Sequence, residues 1–272
     1  MVTGAQSTGS VDAIVVAHNS GSLLTKAVES IVTSGISEEH IVLVDSESSD
    51  GAVKEVSSRF LEVRVRRVEN HGFAAANNEG IRATSAEYVL LLNPDAELRP
   101  GALDVLLARA HTQPECGIVG SLVLNPDETI QAGAWGYFPS LRVSARAAFN
   151  RFLRRPTLTP STAIQADWVT GACMLVRRAA IDSAGMMDDG YFLYYEDVDW
   201  CCAMHEAGWS VVLEPAARVI HHAGSSGGGT SERGLLEYRK SFYRYCDKHG
   251  LWALKATAII GLTARRALGG RS

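Results

Sequence analysis

The chain has 272 residues, 46% of them hydrophobic, and carries a formal net charge of -4. A chain of this length and composition can bury a core large enough for one big domain or two small ones. The negative net charge and the lack of a basic, aromatic-rich block argue against general nucleic-acid binding. The five cysteines form no CxxC pair, which predicts reduced thiols and argues against zinc. Residues 1–10 are small and polar without a signal-sequence pattern, so we expect a disordered leader on an intracellular protein.

The first half of the chain alternates apolar strands with amphipathic helices. Strands are predicted at 12–17, 41–44, 63–68, 88–92 and 117–124, and helices at 22–34, 51–60, 73–84 and about 100–111. This alternation is typical of parallel βαβ units and predicts a nucleotide-binding sheet.

The second half is less regular. Residues 137–161 are rich in arginine, proline and aromatic residues without a period, which predicts a long mobile surface loop. Further along, we expect a helix that ends near Gly208, short strands at 210–213 and 217–221, a Ser/Gly hinge at 224–229 and an amphipathic helix at 232–248.

The last apolar segment, 251–264, is too short to span a bilayer comfortably. Its tryptophan and its cationic flanks are compatible with a helix that lies in a membrane interface. A helix docked on its own domain or on a second subunit explains the same pattern, and the sequence leaves both interpretations open.

A carboxylate follows the most continuous apolar run of the chain, at Asn93-Pro94-Asp95. Pro94 ends the strand, so Asp95 emerges at the carboxyl edge of the sheet, where open α/β folds bind their ligands. A hard oxygen ligand at that edge suits a divalent cation that carries phosphates. The alternative is a turn-forming Asn-Pro-Asp without chemistry.

Two further blocks point to the same edge. Asp45 ends the buried strand at 41–44, where its carboxylate can accept a hydrogen bond from a base imide or a ribose hydroxyl; its alternative role is a helix cap. Small residues around Gly72 and Asn77 open a helix and allow a ligand or another backbone segment to come close.

Three carboxylates, Glu196, Asp197 and Asp199, follow an aromatic run. On a helix, Glu196 and Asp199 are expected to share a face while Asp197 points elsewhere. One of the three is a candidate general base, whose pKa its neighbours would help to raise. The alternative is the solvated acidic first turn of a helix.

These blocks, in this order, resemble the family 2 glycosyltransferases of the GT-A fold, in their rhamnosyltransferase-like branch, over residues 12–248. The resemblance implies an α/β fold with a Rossmann-like, mostly parallel central sheet flanked by helices. It implies a catalytic domain at 11–230, with a nucleotide-sugar half at 11–125 and an acceptor half at 126–230. Residues 231–272 would form a C-terminal helical extension.

The resemblance also implies site residues. They are Ala17, Asn19, Asp45, Gly72, Asn77 and Asn93 for the nucleotide-sugar, Trp168 and Gly171 for the acceptor, Asp95 and His221 for Mg²⁺ or Mn²⁺, and Glu196 with Asp197 as the catalytic pair. Asp197 is expected to be the base. Asn93 stands where the family carries the first aspartate of its Asp-X-Asp motif, which argues for a single protein carboxylate on the metal. The spacing from Pro215 favours His221 over His222.

The expected function is that of an inverting glycosyltransferase in cell-surface glycan synthesis. The donor would be a dTDP- or UDP-sugar, with dTDP-rhamnose favoured by the branch, and the acceptor a hydroxyl of a lipid-linked or polysaccharide glycan. We expect a cytoplasmic location at the inner face of the cell membrane, with peripheral contact through the C-terminal helix, and a homo-oligomer is compatible with the sequence.

Two other function classes stay open. A nucleotidyltransferase also places carboxylates and metal on an α/β sheet, but its glycine-rich, basic phosphate loop is missing after the first strand. A non-catalytic nucleotide-sugar-binding or scaffold protein would keep the fold with a degenerate site.

Overall fold

The computed structural model describes residues 10–152, 160–222 and 231–267, without the side chains of 148–152 and 264–267. The strands are β1 (Val11–Ala17), β2 (Ile41–Ser46), β3 (Arg64–Val68), β4 (Tyr88–Leu92), β5 (Ala96–Leu98), β6 (Cys116–Leu124), β7 (Trp135–Gly136), β8 (Ile164–Gln165), β9 (Trp168–Val169), β10 (Cys173–Arg177) and β11 (Ser210–His221). The helices are α1 (Leu23–Thr33), α2 (Ala52–Arg59), α3 (Phe73–Arg82), α4 (Ala102–Thr112), α5 (Leu141–Phe152), α6 (Arg178–Ala184), α7 (Glu196–Glu206), α8 (Glu232–Lys248) and α9 (Trp252–Ala267).

The central sheet has the strand order β3-β2-β1-β4-β10-β6-β11-β5, with β8 paired to β11. The first four of these strands are parallel, as the alternation of strands and helices predicts. β10 enters antiparallel between β4 and β6, so the sheet as a whole is mixed. The start of β10 consequently lies beside the carboxyl end of β4, at the edge of the sheet where β1 and β2 also end, and the backbone N–H of Asn93 donates to the carbonyl of Ala172 there.

The inner strands are buried on both faces, which explains their continuous apolar runs. All five residues of β4 are buried. Alternate residues of β1 face opposite sides: Val15 packs into the core formed with α1, α2 and α4, and Ile14 packs into the core formed with α3, α6 and α7. Helices on both faces therefore leave the edges of the sheet for ligands.

The predicted loop at 137–161 is wrong for the part that the structure describes, because α5 occupies most of it. Ser140 accepts a hydrogen bond from the backbone N–H of Val143 at 3.1 Å and so begins the helix in the manner of an N-cap. Val143 and Ala147 lie one turn apart and line a cleft described below. Interspersed arginines conceal this short apolar face in the sequence.

The two strands predicted at 210–213 and 217–221 are one strand, β11. Its pairing with β6 changes register between Glu214 and Arg218, around Pro215, which has no N–H to donate to a ladder. Of the predicted leader at 1–10, only residue 10 is among the described residues. The predicted Ser/Gly hinge at 224–229 lies entirely outside them.

The predicted helix at 232–248 is confirmed as α8, which packs onto the segment preceding α7. Ser241 donates a hydrogen bond to the carbonyl of Leu193 at 2.7 Å, and Arg244 pairs with Asp188 at 2.9 Å. No described helix combines the length and the apolarity needed to cross a bilayer. The division into a catalytic domain and a C-terminal extension stays a prediction.

Candidate active site

A cleft of about 950 Å³ opens where β4 ends. It brings together six of the predicted site residues, namely Asn93, Trp168, Gly171, Glu196, Asp197 and His221. Asp95, which is 3% exposed, lies beside His221. Residues that are widely separated in the chain therefore meet in one place, as the order of the motifs predicts.

Asp95 and His221 face each other, with Oδ1 and Nε2 3.2 Å apart. The other ring nitrogen, Nδ1, lies 2.8 Å from Oε1 of Gln131. The amide nitrogen of Gln131 is directed at two acceptors, Oδ1 of Asn125 and the carbonyl of His221, so its oxygen must be the atom that faces the ring. Nδ1 then carries a proton, and Nε2 is the ring nitrogen that faces the carboxylate of Asp95.

A carboxylate oxygen and a ring nitrogen at this distance can be held together by a proton or by a cation between them. A carboxylate and an imidazole nitrogen held by a second partner are also the donor types that divalent metals take, so this pair fits Mg²⁺ or Mn²⁺. The side-chain nitrogen of the neighbouring Asn93 lies 3.3 Å from Nε2, while its buried side-chain oxygen has no partner among the described residues. His222 is instead directed at Glu97, 3.0 Å away on β5, and the choice of His221 as a metal ligand stays a prediction.

Glu196 and Asp197 begin α7 at the inner end of the cleft. Asp197 accepts hydrogen bonds from the backbone N–H groups of Gly171, at 3.0 Å, and Val198, at 2.8 Å, which fix the direction of its carboxylate. Glu196 is 5% exposed, and its Oε2 has no hydrogen-bond partner among the described residues. The two carboxylates consequently differ in how well the protein stabilises their charge.

Burial raises the pKa of both carboxylates. For Glu196 the charge of Asp197 adds to burial, and the pKa is raised well above its ordinary value. For Asp197 the backbone donors of Gly171 and Val198 oppose the effect of burial. Asp197 is therefore the member of the pair that ionises first and Glu196 the member that holds a proton, because environments that differ in this way separate the two pKa values.

The backbone that delivers this pair is strained. Tyr194 and Tyr195 have φ values of 69° and 68°, in the left-handed region that residues with side chains rarely occupy. Such conformations cost on the order of 1–3 kcal/mol each and persist where surrounding structure imposes them. Here the ring of Tyr195 packs against those of Tyr238 and Phe242 on α8, at 5.3 Å and 5.6 Å between centroids, so α8 helps to hold the turn.

The expectation that Glu196 and Asp199 share a face is wrong, because Asp199 is directed away from the cleft. Its carboxylate accepts hydrogen bonds from Tyr191 at 3.2 Å, Lys248 at 2.8 Å and His249 at 2.8 Å. Asp199 thus connects α7 with the end of α8, and Glu196 and Asp197 are the two carboxylates of this group that line the cleft.

The donor-side residues lie at the adjoining edge of the sheet. Ala17 and Asp45 are register partners at the ends of β1 and β2, and Asp45 lines a separate cavity of about 530 Å³ together with Arg67. Asp45 also accepts a hydrogen bond from the backbone of Ser48 at 2.9 Å. Ala17 is fully buried, backbone included, so it does not present an exposed contact surface to a ligand in this structure.

Other predicted donor-side residues organise local backbone. Asn19 has a positive φ of 51° and accepts a hydrogen bond from the backbone of Ser49 at 2.8 Å. Asn77 donates back to the carbonyl of Phe73 at 2.9 Å within α3. Gly72 has a φ of 102°, and a Cβ there would collide with the carbonyl oxygen of Phe192. The roles of these residues in nucleotide-sugar binding stay predictions.

The outer part of the cleft is apolar and aromatic, and the sequence patterns did not predict which residues line it. They come from α5, α8 and α9 and include Val143, Ala147, Phe242, Ala258 and Leu262. Trp168, predicted for the acceptor, lies here and donates to the carbonyl of Tyr137 at 3.2 Å. Arg239 also lines this part, and no carboxylate within the described ranges pairs with it.

A mixed sheet with helices on both faces and carboxylates at its edge is the architecture of the GT-A glycosyltransferases. Two solved structures share it. GalNAc-T7 with UDP, GalNAc and Mn²⁺ matches with a TM-score of 0.62 and 19% identity, over 80% of this chain and 44% of that chain. The mannosyltransferase PcManGT from Pyrobaculum calidifontis with GDP-Man and Mn²⁺ matches with a TM-score of 0.57 and 17% identity, over 96% of this chain and 76% of that chain. At these identities the likeness establishes the fold.

The chain belongs to glycosyl transferase family 2, whose model matches residues 12–185. It is 29% identical over 261 residues to the N-acetylglucosaminyl-diphospho-decaprenol L-rhamnosyltransferase of Mycobacterium tuberculosis, which covers 88% of this chain and 85% of that protein. It is 25% identical over 246 residues to rhamnosyltransferase WbbL of Escherichia coli, covering 85% and 90%. The predicted family is confirmed, and rhamnosyltransferases are among its relatives.

Proposed function

We propose that this glycosyltransferase is metal-dependent and inverting, and that it moves rhamnose from dTDP-rhamnose to a hydroxyl of a lipid-linked sugar. The observation that carries the proposal is the single cleft in which the Asp95–His221 pair, the buried Glu196–Asp197 pair and an apolar groove adjoin. The names of the relatives in Mycobacterium tuberculosis and Escherichia coli support the choice of sugar.

The donor binds with its base toward Asp45 and its diphosphate toward Asp95 and His221. A divalent cation held by that pair would neutralise the charge that develops on the leaving diphosphate. Asn93, whose buried side-chain oxygen has no hydrogen-bond partner within the described part of the chain, is placed to contact the donor at the same edge. This arrangement leaves the face of the sugar opposite the diphosphate open to the acceptor side.

Asp197 acts as the general base. Its carboxylate is oriented by the N–H of Gly171 and is the first of the pair to ionise, so it can remove the proton from the acceptor hydroxyl as that oxygen attacks the anomeric carbon. Glu196 keeps its proton and so adds no second negative charge beside the base. A single displacement from the face opposite the leaving group inverts the anomeric configuration.

The acceptor occupies the outer cleft. The apolar side chains of α5, α8 and α9 suit a hydrocarbon chain, and Arg239 suits the diphosphate that joins such a chain to its sugar. On α9, Trp252 and Ile260 are 72% and 65% exposed, which supports peripheral contact with the membrane that would present a lipid-linked acceptor.

The donor is tested by calorimetric titration of UDP-, dTDP- and GDP-sugars into the purified chain with Mn²⁺ or Mg²⁺, and again with chelator. We expect metal-dependent binding of dTDP-rhamnose that is lost in Asp95→Ala. Binding that is equal in chelator would refute the metal-dependent part of the proposal, and binding of another nucleotide sugar would replace the donor.

The base is tested with Asp197→Asn in a transfer assay with dTDP-rhamnose and a short-chain N-acetylglucosaminyl-diphospho-polyprenol. Loss of a general base should lower turnover about 100- to 10,000-fold while donor affinity is retained. Asp182→Asn, an exposed carboxylate on α6, is the matched control and should keep full turnover. Unchanged turnover in Asp197→Asn would favour the scaffold alternative, and analysis of the product by NMR determines whether the configuration is inverted.

A further inference from the structure

A second cluster of metal-ligating side chains lies outside the cleft, where α7 meets the end of α8. Cys202 and Glu206 are one turn apart on α7, and His249 directly follows α8. Their ligand atoms all lie within 4.8 Å of one another. Sγ of Cys202 is 3.8 Å from Oε1 of Glu206 and 3.8 Å from Nδ1 of His249.

These separations suit a tetrahedral ion. With zinc bonds of about 2.3 Å to sulfur and about 2.0–2.1 Å to nitrogen or oxygen, tetrahedral geometry places the ligand atoms roughly 3.6 Å apart. Thiolate, imidazole and carboxylate form a mixed, borderline-soft set that favours zinc over Mg²⁺ or Mn²⁺. Small side-chain movements would therefore complete a three-ligand site, with the fourth position open to water beside the exposed Glu206.

The orientation of the His249 ring suits a metal ligand. Its Nε2 lies 2.8 Å from Oδ1 of the buried Asp199, and an ionised carboxylate only accepts, so Nε2 carries a proton. Nδ1, on the other side of the ring, is directed at the sulfur of Cys202. A metal-ligating histidine whose other nitrogen donates to a carboxylate is the usual arrangement around zinc, and Asp199 fills that second role here.

Cys202 differs from the other cysteines of the chain. Cys116, Cys173, Cys201 and Cys246 are buried, whereas Cys202 is partly exposed. Binding of zinc would convert this accessible thiol into a thiolate and release its proton.

From this geometry we infer that Cys202, Glu206 and His249 form a zinc site that joins α7 to the corner between α8 and α9. The bound ion would fix the helix that begins with the catalytic carboxylates to the helix that walls the outer cleft. The sequence pattern argued against zinc because no two of its cysteines have ligand spacing, and Cys202 and His249 are 47 residues apart. The site is independent of the proposed reaction.

Cobalt substitution tests the site in the full chain. Titration with Co²⁺ should produce a thiolate-to-cobalt charge-transfer band that saturates at one ion per chain and disappears when Zn²⁺ is added. The Asp95–His221 pair offers no sulfur, so it cannot produce this band. Cys202→Ser should abolish the band, and Glu206→Gln should weaken Co²⁺ binding at least 10-fold, whereas the exposed control His111→Gln should leave it unchanged. Absence of the band, or its persistence in Cys202→Ser, would overturn the assignment.

Thiol labelling of the wild-type chain gives a second readout that needs no variant. Under native conditions N-ethylmaleimide should modify one thiol, that of Cys202, and equimolar Zn²⁺ should slow this reaction at least 10-fold until chelator is added. An equal rate with and without Zn²⁺ would overturn the proposal. Donor titration of Cys202→Ser separates the two proposals, since donor affinity is expected to match that of the wild type whether or not zinc binds.

Discussion

Replacement of Asp188 by asparagine should destabilise the protein by about 2 kcal/mol at neutral pH. Burial alone would raise the pKa of Asp188, but Lys248, the backbone N–H of Gly190 and Arg244 lower it from 3.8 to about 2. At about 1.36 kcal/mol per pH unit, that difference corresponds to about 2.4 kcal/mol of stability. The carboxylate is 20% exposed, so solvent screening removes only part of this contribution.

The pH dependence follows from the sign of the change. Because the pKa of Asp188 is lower in the folded chain, its contribution is complete above about pH 4 and is lost as the pH falls toward 2. In urea unfolding, the free energy of unfolding of Asp188→Asn should therefore lie below that of the wild type at pH 7, and at pH 3 this difference should be roughly half its value at pH 7. The neighbouring Asp189→Asn, an exposed carboxylate, should differ little from wild type at either pH. Equal midpoints for the two variants at pH 7 would refute the calculation.

Three other variants test the site. Gln131→Leu removes the acceptor that fixes the His221 ring, so calorimetry should show Mn²⁺ binding about 10- to 100-fold weaker than in the wild type. Gln131→Glu keeps an acceptor there and should keep the wild-type affinity. Equal Mn²⁺ affinity in the wild type and both variants would contradict a proton on Nδ1 of His221. Gly72→Ala places a Cβ against the carbonyl of Phe192 at a φ of 102°, so thermal unfolding should show a free energy of unfolding lower by about 1–3 kcal/mol or more. An unchanged unfolding midpoint would argue against this contact. Arg239→Gln removes the guanidinium that would bind the diphosphate, so KM for a diphosphate-linked lipid acceptor should rise about 10-fold with little change in kcat. An equal rise in KM for an acceptor without a diphosphate would contradict the role given to this guanidinium.

Local patterns predicted most of the first half of the fold. The runs of β1, β2 and β4 are apolar because both faces of these strands are buried, and the crossover helices show the matching apolar stripe. The same kind of signal gave α8 its correct limits. The helix α5 was missed because its arginines interrupt the stripe and its apolar residues face a cleft instead of a core.

Within the site, the order of the motifs predicted which residues converge but not how they are held. Gln131 contacts His221 across 90 residues, and nothing in its own segment distinguishes it from a polar loop residue. The placement of Asp199 depends on Lys248 and His249, 49 and 50 residues further on. Long-range hydrogen bonds of this kind have no sequence period, so helical spacing alone assigned Asp199 to the wrong face.

The wall of the outer cleft and the edge that carries Asn93 and Asp95 come from separate stretches of the chain. The edge that carries Asn93 and Asp95 is built by strands up to β6 together with β11, which supplies His221, whereas α8 and α9, after residue 231, contribute much of the opposite wall. Because α8 also contacts the turn before Glu196 and Asp197 through Tyr238 and Ser241, a change in the last helices would alter the outer wall and the setting of these two carboxylates together.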